Sequence, residues 1–281
     1  MKTVLVTGAT GALGQAVVSF LKASGKFHVV RTSRQENDDF VQLDILNNKQ
    51  VGRILERIKP DFLFHLAATF SNDFEEAYGI NVQGTKVILD QIALQGLSTR
   101  VLLIGSAAEY GVVAPEENPI AEERFSHTVS IYGLTKSWQT QLAFLYAAKS
   151  VDVVVARVFN LDSPNCSDRL FIGRLHRQLK QVLSGQREEM EFGRLDAVRD
   201  YINMEQAVEQ IMKIVQFGER GKVYNVGSGK PVMMRDIVKQ YLNEYNLSFS
   251  IVREAEKLSN RTGYDVPVIY ADMSRTFDLG T

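Results

Sequence analysis

Residues 4–14 read V-L-V-T-G-A-T-G-A-L-G. An apolar run, glycines at 8, 11 and 14, and then a helix-forming stretch leave one economical solution: a buried strand that turns sharply into a helix. Gly8 permits the tight turn, Gly11 lets a pyrophosphate approach the backbone, and Gly14 lets helix and strand pack closely. The helix N-terminus then faces the phosphates. Thr10, Ala12 and Leu13 share this turn and join the three glycines as candidate dinucleotide contacts.

The rest of the chain keeps the same rhythm. β-Branched runs at Lys2 to Thr7, Phe27 to Thr32, Phe40 to Leu43, Asp61 to Leu66, Arg100 to Gly105 and Val153 to Val158 alternate with helical stretches. The helices span about Leu13 to Ser24, Lys49 to Ile58, Phe74 to Leu94 and Ile131 to Lys149. This pattern predicts an α/β fold, a doubly wound parallel sheet of the Rossmann type. Past Phe159 the rhythm changes to a polar loop and a basic helix at Leu170 to Leu183, and a later strand at Lys222 to Val226 rejoins the large sheet. Residues 1–160 plus about 201–227 form the expected dinucleotide-binding domain. About 161–200 plus 228–281 form a small α/β substrate-binding lobe, packed on it across a cleft.

Composition removes whole classes of function. Lys and Arg total 32 against 33 Asp and Glu, so no global field draws the chain to nucleic acid or to an anionic membrane. Its single cysteine, Cys166, excludes an intramolecular disulfide and a cysteine-based metal site, and no metal is expected. No apolar stretch approaches the roughly 18 residues of a membrane span, and no signal peptide is apparent. The expected location is cytoplasmic.

The choice of dinucleotide falls to the end of the second strand, where an acidic residue would bond the ribose 2′-OH of NAD. Here stand Arg31, Thr32, Ser33 and Arg34. Two guanidiniums and no carboxylate favour NADP(H) over NAD(H), with Arg31, Ser33 and Arg34 as candidate contacts and Arg34 the better placed of the two arginines; the alternative is that one or both arginines are solvated surface charges. Asp44 follows the third strand, either to accept from an adenine amino group or to cap the next helix.

Tyr132 and Lys136 stand four apart at the start of a helix and share one face. An ammonium beside a phenol favours the phenolate, so the pKa of Tyr132 is expected to fall toward neutrality. Ser106 closes the fifth strand in G-S-A-A-E-Y-G. Strand carboxyl ends line the ligand crevice of such a sheet, so Ser106 and Tyr132 can meet there.

T-G-A-T-G-A-L-G, His65 to Ala68 (H-L-A-A), N-V-Q-G-T from Asn81, Ser106 with Y-G-L-T-K, and R-V-F-N from Arg157 to Asn160 together resemble the extended short-chain dehydrogenase/reductases that act on nucleotide sugars. G-R-L-D-A-V-R-D-Y from Gly193, Y-N-V-G-S-G from Tyr224 and D-V-P from Asp265 are most similar to the GDP-mannose 4,6-dehydratases and the GDP-4-keto-6-deoxymannose reductases. The resemblance implies that Ser106, Tyr132 and Lys136 are catalytic. It also implies that Ile45, Leu66, Ala67, Ala68, Asn81 and Phe159 touch the cofactor alongside Tyr132 and Lys136. Ser106, Ala107, Asn160, Arg199 and Arg261 would touch the sugar nucleotide, the two arginines converging on its diphosphate. A structural ion pair between Arg199 and Asp200 is the alternative.

Dehydratases of this kind carry a carboxylate two residues after the catalytic-strand Ser/Thr; here Ala107 and Ala108 follow Ser106, and neither can transfer a proton. Glu109 stands one position later, and in an extended segment its side chain would fall on the other face. The reading is therefore an NADPH-dependent reductase of a nucleotide-linked 4-keto-6-deoxy sugar. A nucleotide-sugar epimerase, and further off a non-catalytic dinucleotide sensor, are the alternatives. The family further implies a homodimer through the helices near Val87 and Trp138.

Overall fold

In the computed structural model residues 1–35, 38–255, 258 and 266–280 are described. The first half alternates as expected: β1 (Lys2–Thr7), α1 (Ala12–Ala23), β2 (Phe27–Ser33), β3 (Val41–Gln42), α2 (Asn48–Ile58) and β4 (Phe62–His65). Then come α3 (Phe74–Tyr78), α4 (Gly84–Leu94), β5 (Arg100–Ser106), α5 (Ile131–Ala148), β6 (Val153–Val158) and β7 (Asn160–Asp162). The second half holds α6 (Phe171–Leu183), β8 (Met190–Phe192), β9 (Val198–Asn203), α7 (Met204–Phe217) and β10 (Val223–Val226). It ends with β11 (Pro231–Met233), α8 (Met234–Glu244), β12 (Val252–Glu254), β13 (Val268–Ile269) and α9 (Ser274–Phe277).

Seven strands form one sheet in the order β10-β6-β5-β4-β1-β2-β3, each neighbouring pair parallel. Strand side chains alternate between its faces. Val4, Val6, Phe64, Leu102 and Val154 pack on one side with Val17, Leu21 and Ile211 from α1 and α7. Leu5, Leu63, Val101, Leu103 and Val153 pack on the other with Leu55, Ile88 and Ala143 from α2, α4 and α5. Both faces are covered, so β1 and β6 read as near-continuous apolar runs. Chain order reverses between β1 and β4, which opens a crevice at their carboxyl ends.

Two expectations are corrected. The helix predicted from Phe74 to Leu94 contains a π-helical turn at Gly79–Gln83 between α3 and α4; such turns often sit at functional sites. Strand β9 pairs with β7, β11 and β13 in a separate small sheet, so the boundary drawn near residue 201 falls inside a strand of the lobe. The lobe's own core holds Phe171, Leu175, Leu179, Phe192, Ile237 and Leu242. Cys166 is buried against it, and burial pushes its thiol up to about 11. Tyr110, Val113, Ile120 and Phe159 pack on Ile269, Ala271 and Met273, joining the C-terminal segment to the large sheet.

Candidate active site

At the carboxyl edge of the sheet Thr7 pairs with His65, and His65 with Leu103. The glycine turn therefore lies directly against Leu66 and Ala67. Gly8 has φ +67°, and a Cβ there would come within 2.5 Å of the Ala67 nitrogen. A Cβ on Gly14 would come within 2.2 Å of the Gly8 carbonyl. These two glycines are demanded by the fold itself. Gly11 is different: its nearest neighbour would be 3.5 Å away, so the chain's own packing does not require glycine there. It is exposed and begins α1 with no side-chain cap. An uncapped helix end beside a bare backbone suits a pyrophosphate, so the residues present fit a dinucleotide.

Other expected contacts separate by what their side chains already do. Thr10, Arg34, Asp44 and Ala68 are exposed, and Ala12, Leu13, Ser33, Leu66 and Ala67 are half-buried around the crevice. Arg31 is paired with Asp39 at 3.3 Å and lies over the Phe40 ring, whereas the Arg34 side chain is exposed. Asp44 does not cap α2; Asn47 does, accepting from Gln50 N–H at 3.1 Å. Ile45 and Phe159 turn their side chains into apolar clusters. Asn81 is fully buried in the π-helical turn, where its amide accepts from Thr69 N–H and donates to the Thr69 carbonyl and to Thr135 Oγ1. That arrangement ties the loop after β4 to α5.

Ser106 ends β5 and its Oγ accepts from Ala108 N–H at 3.2 Å. Ser130 caps α5, accepting from Gly133 N–H at 3.0 Å, and starts the helix that carries Tyr132 and Lys136. The Ser106 hydroxyl lies near enough to the Tyr132 phenol to favour its ionised form, and Phe70 covers the phenol ring at a centroid distance of 4.6 Å. The expected fall in the Tyr132 pKa is reversed: burial raises it, the Glu109 carboxylate adds to the rise, and the Ser106 hydroxyl only partly offsets them. Burial decides the direction, and the Lys136 amine bonds the Ile104 carbonyl and Gln139 Oε1. The phenol thus stays protonated at neutral pH. Burial drives Lys136 itself down to about 8, against the pull of Glu109. A lysine so shifted is charged below pH 8 and neutral above, so turnover that needs the ammonium falls as pH rises through about 8. Initial rates at saturating substrate test this, and a profile flat between about 7 and 9 contradicts it.

Glu109 does not lie in an extended segment. It closes a 3₁₀ turn, Ala107–Glu109, and is fully buried. One carboxylate oxygen accepts from Ser106 N–H at 2.7 Å; the other accepts from Thr140 Oγ1 and from Arg157 Nε and Nη2. Sequence reasoning passed over this pair, although an arginine inside the buried run V-V-V-A-R-V demands a carboxylate partner. Gln139 and Phe70 were missed as well.

In the lobe, Asn160 Nδ2 donates to the Asp200 carbonyl at 2.9 Å. Asp200 is fully buried and accepts from Ser228 N–H and Oγ, Gly229 N–H and Ala271 N–H. It anchors three chain segments, while Arg199 Nη1 donates to the Val198 carbonyl at 2.9 Å. Arg261 lies outside the described residues. Among those described, no cluster of His, Cys, Asp or Glu could hold a metal ion, and no helix is long and apolar enough to cross a membrane.

A parallel doubly wound sheet with a glycine-lined helix N-terminus and a Ser106, Tyr132, Lys136 constellation at its carboxyl edge defines a dinucleotide-dependent enzyme. The NAD dependent epimerase/dehydratase family matches residues 4–227, and the chain belongs to it, a family of nucleotide-sugar-modifying enzymes. It is 26% identical to the GDP-6-deoxy-D-mannose reductase of Pseudomonas aeruginosa over 90% of this chain and 83% of that protein. It is 25% identical to the GDP-6-deoxy-D-talose 4-dehydrogenase of Aggregatibacter actinomycetemcomitans, covering 98% and 90%. The fold matches RMD from Pseudomonas aeruginosa complexed with NADPH, with TM-score 0.86, 24% identity and coverage of 99% and 92%. It also matches MoeE5 in complex with UDP-glucose and NAD, with TM-score 0.83, 27% identity and coverage of 99% and 92%.

Proposed function

We propose that the protein reduces the keto group of a nucleotide-linked 4-keto-6-deoxy sugar with NADPH, a GDP-linked sugar being the first candidate. The observation that carries this reading is the state of the segment after Ser106. Ala107 and Ala108 have no proton to move, and both oxygens of Glu109 are committed inside the protein. Removing water across the sugar's C5 and C6 needs a free carboxyl group there; reduction needs only a hydride and one proton. The bound dinucleotide supplies the hydride. Tyr132, held protonated by its burial, gives its proton to the developing alkoxide, and the Ser106 hydroxyl orients the carbonyl. Lys136, one helical turn on, is the proposed contact to the ribose hydroxyls of the cofactor. Asn160 and Arg199, with Arg261, are the proposed contacts to sugar and diphosphate. A homodimer would cover the face where half-exposed Trp138 meets Phe74 and Tyr78 edge to face.

Incubation with NADPH and 4-keto-6-deoxy sugars carried on GDP, UDP, dTDP and CDP tests the proposal. A reductase consumes cofactor mole for mole with one of them; an epimerase changes the sugar and leaves NADPH untouched. Arg34→Ala should weaken NADPH binding by about 10- to 100-fold and leave NADH nearly unchanged, as loss of one charge-assisted phosphate contact implies. Equal dissociation constants for the two cofactors in the wild-type protein contradict the NADP(H) preference.

A further inference from the structure

Gln139 stands three residues after Lys136 on α5 and is as deeply buried as the lysine, each about 1% exposed. Its Oε1 accepts from the Lys136 amine, which also donates to the Ile104 carbonyl. An amide can serve this way only if something keeps its oxygen turned toward the lysine, and a chain of buried donors does so. Gln139 Nε2 donates to Thr85 Oγ1 at 2.9 Å, while the Thr85 hydroxyl donates to the Asn81 carbonyl at 2.8 Å. With that proton spent, Thr85 Oγ1 is an acceptor only. His65 Nε2, 3.1 Å from it, must therefore carry the ring proton, and Nδ1 accepts from Thr7 Oγ1 at 2.7 Å. Burial and the nearby Lys136 charge push His65 down to about 3, so the ring is neutral, as this tautomer requires. Flipping Gln139 would set its NH₂ against the amine and its oxygen against a hydroxyl with no proton left. Each link has one polarity, running from Thr7, which precedes Gly8, to the lysine.

We propose that Gln139 is a positioning residue for Lys136, its amide locked by the Thr85, His65 and Thr7 chain so that two N–H bonds of the ammonium are fixed and the third has a set direction. This rests on the reading of Lys136 as part of the reaction machinery. The charged and titratable groups bearing on the amine are Glu109, which favours its charged form, and neutral His65. A neutral amide accepts a hydrogen bond without adding a charge, so the lysine keeps its depressed pKa.

The test reads Lys136 directly in the protein without substrate, by NMR titration of ¹³C-labelled lysine side chains with the Lys136 signal assigned by its loss in Lys136→Met. The expected wild-type midpoint is about 8. Gln139→Glu places a carboxylate on the amine and should raise the midpoint by about one unit or more. Gln139→Met should lower it and cut kcat by about tenfold or more, and Thr85→Val, which frees the amide without removing it, should act in the same direction with smaller size. Midpoints unchanged in Gln139→Glu and Gln139→Met, whatever their melting temperatures, would overturn the proposal. Because the titration needs no substrate, its result stands whichever sugar the enzyme reduces.

Discussion

Tyr132→Phe lowers kcat by about 10² to 10⁴ and leaves dinucleotide affinity and melting temperature near wild type. The ring remains to pack beneath Phe70 at the crevice, so only the hydroxyl with its transferable proton is lost. The raised pKa of this phenol fits the proposed role of a general acid, a group protonated throughout the neutral range that can give its proton to an oxygen developing negative charge. Single-turnover rates with the keto sugar and equilibrium binding of NADPH, measured on the same preparation, separate the two effects. Wild-type turnover in Tyr132→Phe would remove the tyrosine from the reaction.

The largest effect on stability belongs to Glu109→Ala. The substitution strands a guanidinium that is 5% exposed and leaves Ser106 N–H and Thr140 Oγ1 without their acceptor. Breaking a buried pair from one side costs about 3 to 5 kcal/mol, a fall of roughly 10 °C in melting temperature for a chain of this size. Replacing both partners, as in Glu109→Leu with Arg157→Met, should recover part of that loss, because no uncompensated charge then remains. Activity should fall in both variants, since Glu109 also fixes the backbone of Ser106. Chemical denaturation of the single and double variants checks the sign and the order; a double variant less stable than Glu109→Ala would contradict it.

What the sequence disclosed was what repeats or punctuates. The alternation of β-branched runs with helices revealed the parallel sheet, and Gly8, Gly11 and Gly14 revealed the tight turn from β1 into α1, because these signals are local. The meeting of Ser106 with Tyr132 was legible as well, from the rule that strand carboxyl ends line the crevice. Features set by side-chain direction were not. The lysine was expected against the phenol because four residues separate them, yet its amine bonds Ile104 and Gln139, and spacing on a helix says nothing of where a four-carbon stem turns. The π-helical turn at Gly79–Gln83 leaves no periodic mark. The boundary expected near residue 201 falls inside β9, whose partners, β7, β11 and β13, are distant in sequence.

The central claim is that hydride passes from NADPH to C4 of a nucleotide-linked sugar while Tyr132 protonates the oxygen. NADPH deuterated at the transferred position, incubated with GDP-4-keto-6-deoxymannose and the wild-type enzyme, tests it in one measurement. One deuterium at C4 of the product deoxysugar is expected for each NADPH oxidised, with transfer slowed by about 10² to 10⁴ in Tyr132→Phe. Product that forms without deuterium, with the labelled cofactor recovered unchanged, would contradict it.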